Sequence, residues 1–157
     1  MPTDPAEMSS GAGSVATGRG ASIRIQRRVE WVDTDASTKW HNTAPLEMLE
    51  AAETTLLDRL GMLEEIFGRL PRVSIKAHFM RALGFWEKVD VDLEVAALGR
   101  TSITYRGNIR RGDDVVVSGE VVAVFVDESG RPCPWSERQR SLLGSSGAQL
   151  PELLTDG

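Results

Sequence analysis

The chain has 157 residues, enough for one domain with a real core and too few for two comfortable ones. Eighteen Lys and Arg against twenty-three Asp and Glu leave a net charge of -5 with no basic block, which argues against a nucleic-acid surface. The single cysteine, Cys133, has no partner for an internal disulfide, and no run approaches the ~20 apolar residues of a membrane span, so a soluble, cytoplasmic protein is expected.

Residues 1–21 are rich in Gly, Ser, Ala and Thr, lack the apolar run of a secretory signal, and are expected to form a disordered leader. From Ser22 the chain alternates, with Ile23, Ile25, Val29 and Trp31 on one side and Arg24, Gln26, Arg28 and Glu30 on the other, which predicts a half-buried strand. After a break at 37–43, Pro45 suits a first helical turn. Leu46, Leu49, Ala52, Leu56 and Leu60 then recur at helical spacing up to Gly61. "GMLEEIFGRLPR" reads as a connector with a short helical turn. Beyond it the period returns to two: Val73, Ile75, Ala77 and Phe79 form one strand, and Val89, Val91, Leu93, Val95 and Ala97 a second. Turns at Gly99-Arg100 and Gly112-Asp113 lead into two more, the first with Ile103, Tyr105 and Ile109 on one face.

Strand, helix, then four hairpin-linked strands predicts an α+β fold spanning 22–140, with the helix packed on a five-stranded antiparallel sheet and residues 141–157 a flexible tail. The last strand is apolar on both faces, Val117, Val121, Ala123 and Phe125 on one and Val116, Val122, Val124 and Val126 on the other. One helix covers one face, so the other is expected to meet a partner subunit.

The order of elements, "DTDA" after the first strand, an E-A-A segment in the helix, and "GRTSITYRGNIRRGDDVVVSGEVVAVFVDESGRPCP" near the end together resemble the hotdog-fold acyl-CoA thioesterases of the 4-hydroxybenzoyl-CoA thioesterase type, from about Ile23 to Trp135. The resemblance implies a sheet wrapped around a long central helix, dimers joined edge to edge, sometimes paired into tetramers, and acyl-CoA or acyl-carrier sites between subunits. It implies no metal or redox cofactor, coenzyme A entering as part of the substrate. The family's helix acid falls fifteen residues after the second acid of its acid-x-acid pair, as Glu50 does after Asp35. In the loop many relatives read glycine and valine followed by Tyr-His; here "STKWHNT" places His41 one position early and Asn42 where the family histidine would fall.

If the first strand stays extended, Asp33 and Asp35 continue its inward face, where burial would raise a carboxylate's pKa. By the resemblance Asp35 is the nucleophile or general base, with the thioester carbonyl polarised by N–H groups at the helix start. A strand-ending Asx turn is the bland account of the pair, and Asp33 is expected to hydrogen-bond the loop. His41 either orients water or the thioester oxygen, or caps the helix with Asn42 and Thr43; Asn42 is a carbonyl-polarising or capping amide. Glu50 is the second choice of catalytic carboxylate, against a solvated acidic face shared with Glu47 and Glu53. One histidine beside two acids is too few ligands for a metal. Trp40, Phe79 and Tyr105 either line an acyl pocket or fill the core, and Lys76, Arg81, Arg106, Arg110 and Arg111 are candidate contacts for coenzyme phosphates. The competing readings are a hotdog dehydratase and a non-catalytic hotdog protein that binds an acyl or aromatic ligand or serves assembly.

Overall fold

The structure, a computed structural model, describes residues 20–145. Strand β1 (Ser22–Arg28) is followed by a 3-10 turn (Trp31–Asp33), helix α1 (Thr43–Arg59), a one-turn helix α2 (Leu63–Ile66), strands β2 (Arg72–Phe79), β3 (Lys88–Leu98), β4 (Ser102–Arg111) and β5 (Asp114–Val124), and helix α3 (Glu137–Leu143). The five strands form one antiparallel sheet in the order β1-β3-β4-β5-β2, so β1 and β2 are its edges. Helix α1 packs on β1 and β3, and its Leu49 reaches β4 and β5. This is the α+β arrangement expected, a sheet around one long helix.

The buried residues of α1 fall in adjacent pairs four apart: Ala44 and Pro45, Met48 and Leu49, Ala52 and Glu53, Leu56 and Leu57. That spacing keeps one stripe against the sheet over four turns. Each fully buried Leu contributes about 1.5–3 kcal/mol of apolar transfer. The helix stops in a Schellman turn: Gly61 takes φ +71°, Met62 N–H donates to the Leu57 carbonyl (2.9 Å) and Gly61 N–H to that of Asp58 (3.0 Å). Gly107 and Gly119 face each other across β4 and β5, and a Cβ on either would meet Leu49 at 2.4 or 2.9 Å. Ile103, Tyr105 and Ile109 share the inward face with a glycine in their midst, and the helix enters at that gap.

Four expectations change. β1 ends at Arg28, because its ladder with β3 ends where Arg28 pairs with Lys88. The chain then turns, so Trp31 points to solvent at 76% exposure and the inward face does not run on to Asp33 and Asp35. Of the apolar outer positions of β5, Val116 and Val122 are already buried within this single chain, while Val124 and Val126 are only partly so. Folded structure also extends past both expected boundaries. Ala21 is buried and its N–H donates to the Leu143 carbonyl (3.0 Å), while Ser141–Leu143 belong to α3, with Leu143 fully buried. The rest of the expected leader and tail lies outside the described residues. No described helix is long and apolar enough to cross a membrane.

Candidate active site

The segment from Glu30 to Asn42 links β1 to the start of α1, and its own hydrogen bonds shape it. Asp33 takes the role expected of it, its carboxylate accepting from Glu30 N–H (2.8 Å) and its carbonyl from His41 N–H (2.8 Å). Asp35 N–H donates to the Lys39 carbonyl (3.0 Å) and Thr38 N–H to the Asp35 carbonyl (2.9 Å), which forces Thr38 to φ +68°. A glycine would take that conformation without a Cβ penalty. Isolated bridges from Thr34 to Trp40 and from Lys39 to Gly84 tie the loop to itself and to the β2–β3 connection.

Asp35 is exposed, contrary to the buried carboxylate expected. Its Oδ1 accepts from the Ser37 hydroxyl and from Ser37 N–H (2.8 Å). These bonds from Ser37, first the hydroxyl and then the amide, hold its pKa below the ordinary aspartate value against a small opposing desolvation, with His41 adding a weak attraction. The sign of the shift is thus opposite to that expected from burial. Asp35 and His41 share one loop, while Glu50 stands two turns into α1. Among the described residues no hydrogen bond or ion pair joins Glu50 to either.

His41 and Asn42 sit at the entry to α1. His41 Nδ1 lies 2.5 Å from Thr43 Oγ1, and its carbonyl accepts from Ala44 N–H (3.0 Å). Asn42 occupies the N-cap position but its backbone is already helical and its side chain makes no cap bond, so its capping role is not seen. The first turn of α1 therefore lacks a side-chain cap on its N–H groups.

A cavity of about 250 Å³ runs between α1 and the sheet, with Thr43 at one end of the helical stretch that lines it and Glu53 at the other. Glu50 and Tyr105 lie on its wall. Trp40 does not: it is a core residue at 6% exposure. Phe79 is half exposed on the edge strand β2. Arg106 projects from the opposite face of the sheet, into a broad polar hollow of about 900 Å³ shared with Lys76 and His78. It pairs with Glu120 (3.3 Å); Arg81, Arg110 and Arg111 likewise pair with Asp114 (3.2 Å), Asp92 (2.8 Å) and Glu87 (2.7 Å). Four of the five expected phosphate contacts are thus already engaged by carboxylates.

Glu53, expected on a solvated face with Glu47 and Glu50, is buried at 7% exposure. Arg72 of β2 grips it with both guanidinium nitrogens, one at 3.0 Å, and also lies 3.5 Å from Glu50. Burial works against the Arg72 charge, but the hydrogen bond and charge of Glu53 outweigh it and raise the Arg72 pKa. Beside the pair, the Tyr105 hydroxyl is buried and makes no hydrogen bond of normal geometry. Burial first, then the Glu53 charge, pushes its pKa well above that of a free phenol, so it stays protonated. The sequence carried one signal for this cluster: Pro45, Leu49, Glu53 and Leu57 are four apart, which puts the acid on the buried stripe. Nothing marked Arg72 as its partner across the cavity.

The sequence model of the thioesterase superfamily matches residues 39–118, a stretch that begins just after Asp35 and includes His41, Asn42 and Glu50. No curated protein matches the chain. Among solved structures, a probable thioesterase from Bartonella henselae is 20% identical with a TM-score of 0.67, covering 74% of this chain and 100% of that one. A 1,4-dihydroxy-2-naphthoyl-CoA thioesterase from Synechocystis is 16% identical with a TM-score of 0.71, covering 78% and 96%. A gentisyl-coenzyme A thioesterase is 21% identical with a TM-score of 0.70, covering 77% and 99%. At these identities the structures establish a shared hotdog fold, and the sequence match goes further: the chain belongs to the thioesterase superfamily.

Proposed function

We propose that the protein hydrolyses an acyl-CoA or acyl-carrier thioester to the free acid and thiol, with Asp35 as nucleophile or general base. The observation that carries this reading is an ionised carboxylate, fixed by Ser37, on the loop that feeds the uncapped start of α1. In the general-base form, Asp35 takes a proton from water as the water oxygen attacks the thioester carbon. The developing oxyanion is held by N–H groups of the first helical turn, with His41 or Asn42 assisting. The C–S bond then breaks and the thiolate takes up a proton. The acyl group occupies the cavity along α1, beside Glu50 and Tyr105, and no metal or redox cofactor takes part.

The active form is a homodimer, alone or paired into a tetramer, joined through β2. Among the described residues that strand has one edge with no partner strand, and it exposes Val73, Ile75 and Phe79 at about half their full area, an apolar edge of the kind that recruits another strand. A site formed between protomers would withdraw Asp35 from bulk water.

Thiol release from short, medium, long and aromatic acyl-CoAs by wild type and Asp35→Asn tests the reading. The variant keeps the shape and loses the charge, and turnover should fall on the order of a hundredfold or more. Full activity in Asp35→Asn would transfer the role to Glu50. A folded wild type that binds acyl-CoA and cleaves none would favour a ligand-binding protein, the reading to which the exposed, weakly basic Asp35 lends weight.

A further inference from the structure

The cavity changes character along its length. On α1 it is lined from Thr43 to Glu53, ten residues apart, which spans about 15 Å at the rise of an α-helix. Its middle is apolar, formed by Leu46 and Leu49 of the helix and Ile75, Leu93 and Val121 of the sheet. Its far end is polar: Glu53, Arg72 and Tyr105 meet there, the tyrosine at 2% exposure. A cavity made only to hold an alkyl chain has no use for a buried ion pair and a phenol without a well-formed hydrogen bond, each of which is costly to bury.

We propose that Glu53, Arg72 and Tyr105 form a hydroxyl-recognising end to the acyl cavity, so that the protein prefers medium-length acyl groups ending in a hydroxyl over plain alkyl chains. This rests on the thioesterase reading and names its substrate class. A hydroxyl both donates and accepts, so one group can give its proton to the Glu53 carboxylate and receive one from the Tyr105 hydroxyl, which stands beside Glu53 without a hydrogen bond of normal geometry. A carboxylate tail fits poorly. Arg72 is already held by Glu53 at two nitrogens and neighboured by Glu50, which leaves the three charges at a net -1. The distance from the helix start sets the length, since the polar end lies about three helical turns beyond the proposed position of the thioester carbonyl.

The test compares matched pairs, decanoyl-CoA against 10-hydroxydecanoyl-CoA and the corresponding pairs two carbons shorter and longer, in wild type and Tyr105→Phe. Wild type should favour the hydroxylated member of at least one pair by about tenfold or more in kcat/KM, because a site built to bind a hydroxyl is left unpaired by the analogue lacking it. In Tyr105→Phe that ratio should fall close to one. The same pairs as non-hydrolysable S-alkyl-CoA thioethers, measured by calorimetry, separate this proposal from catalysis. Tighter binding of the hydroxylated thioether with no turnover of any thioester would sustain the hydroxyl site and refute the hydrolase. Equal affinity within every pair, or a preference that survives in both Tyr105→Phe and a folded Glu53→Gln variant, would overturn the proposal whatever the turnover.

Discussion

Asp35 and its Ser37 partner make a pH-dependent unit that can be probed directly. Asp35's pKa is depressed, so the carboxylate is ionised above that value and its function is lost as pH falls through it. If Asp35 is the base, the acid limb of kcat/KM follows its ionisation, which the Ser37 bonds draw downward and withdrawal from water between protomers would draw upward. Ser37→Ala removes the hydroxyl bond and should move that limb upward, so that activity is lost at a higher pH. An unmoved limb in a pH-rate comparison would separate Asp35 from the rate-determining ionisation. Arg72 offers a second residue-scale test, because removing it strands a buried carboxylate. Arg72→Met should destabilise by about 3 kcal/mol, near the lower end for a broken buried pair since Arg72 is a quarter exposed. In a chain of this size that is a drop of about 6–12 °C in Tm. Adding Glu53→Met should recover part of the loss, because two apolar groups bury no unpaired charge; calorimetric melting of the two variants decides it.

At the scale of elements, the approach of α1 to the sheet depends on two missing side chains. A Cβ on Gly107 would lie 2.4 Å from Leu49 Cδ2 and 3.0 Å from the Asp92 carbonyl oxygen. The leucine methyl can swing aside, but the backbone oxygen in a paired strand cannot. Gly107→Ala is therefore expected to cost about 1–3 kcal/mol, as overpacked cores do, read as a lower urea midpoint at unchanged m-value. The same notch positions Leu46, Glu50 and Glu53 over the cavity. Displacing the helix would thus alter acyl selectivity together with stability.

For the whole molecule, the question is what covers β2. Val73, Ile75 and Phe79 are exposed and, among the described residues, no strand pairs with its outer edge, whereas in β5, whose two apolar faces first suggested a partner, Val116 and Val122 are buried by their own chain. A Lys on an exposed edge strand is a recognised block to strand addition. Val73→Lys should convert a dimer to monomer in size-exclusion chromatography with light scattering, and turnover should fall with it if the site lies between protomers. A wild type that is monomeric at micromolar concentration would end the β2 proposal.

The succession of elements was legible in the sequence because alternation and helical spacing are local properties: Val89 to Ala97 and Leu49 to Leu56 declare their faces without reference to anything distant. The D-x-D pair, Glu50 fifteen residues on and the strand order were likewise enough to point to the family. The strand's end was not legible, since β1 stops where its neighbour β3 begins, and that register carried the face of Asp35 with it. Only tertiary structure could also divide three similar glutamates, leaving Glu47 and Glu50 toward solvent and burying Glu53. The reason is that burial of a charge depends on a partner, and Arg72 lies nineteen residues away on an edge strand that folding brings across the cavity.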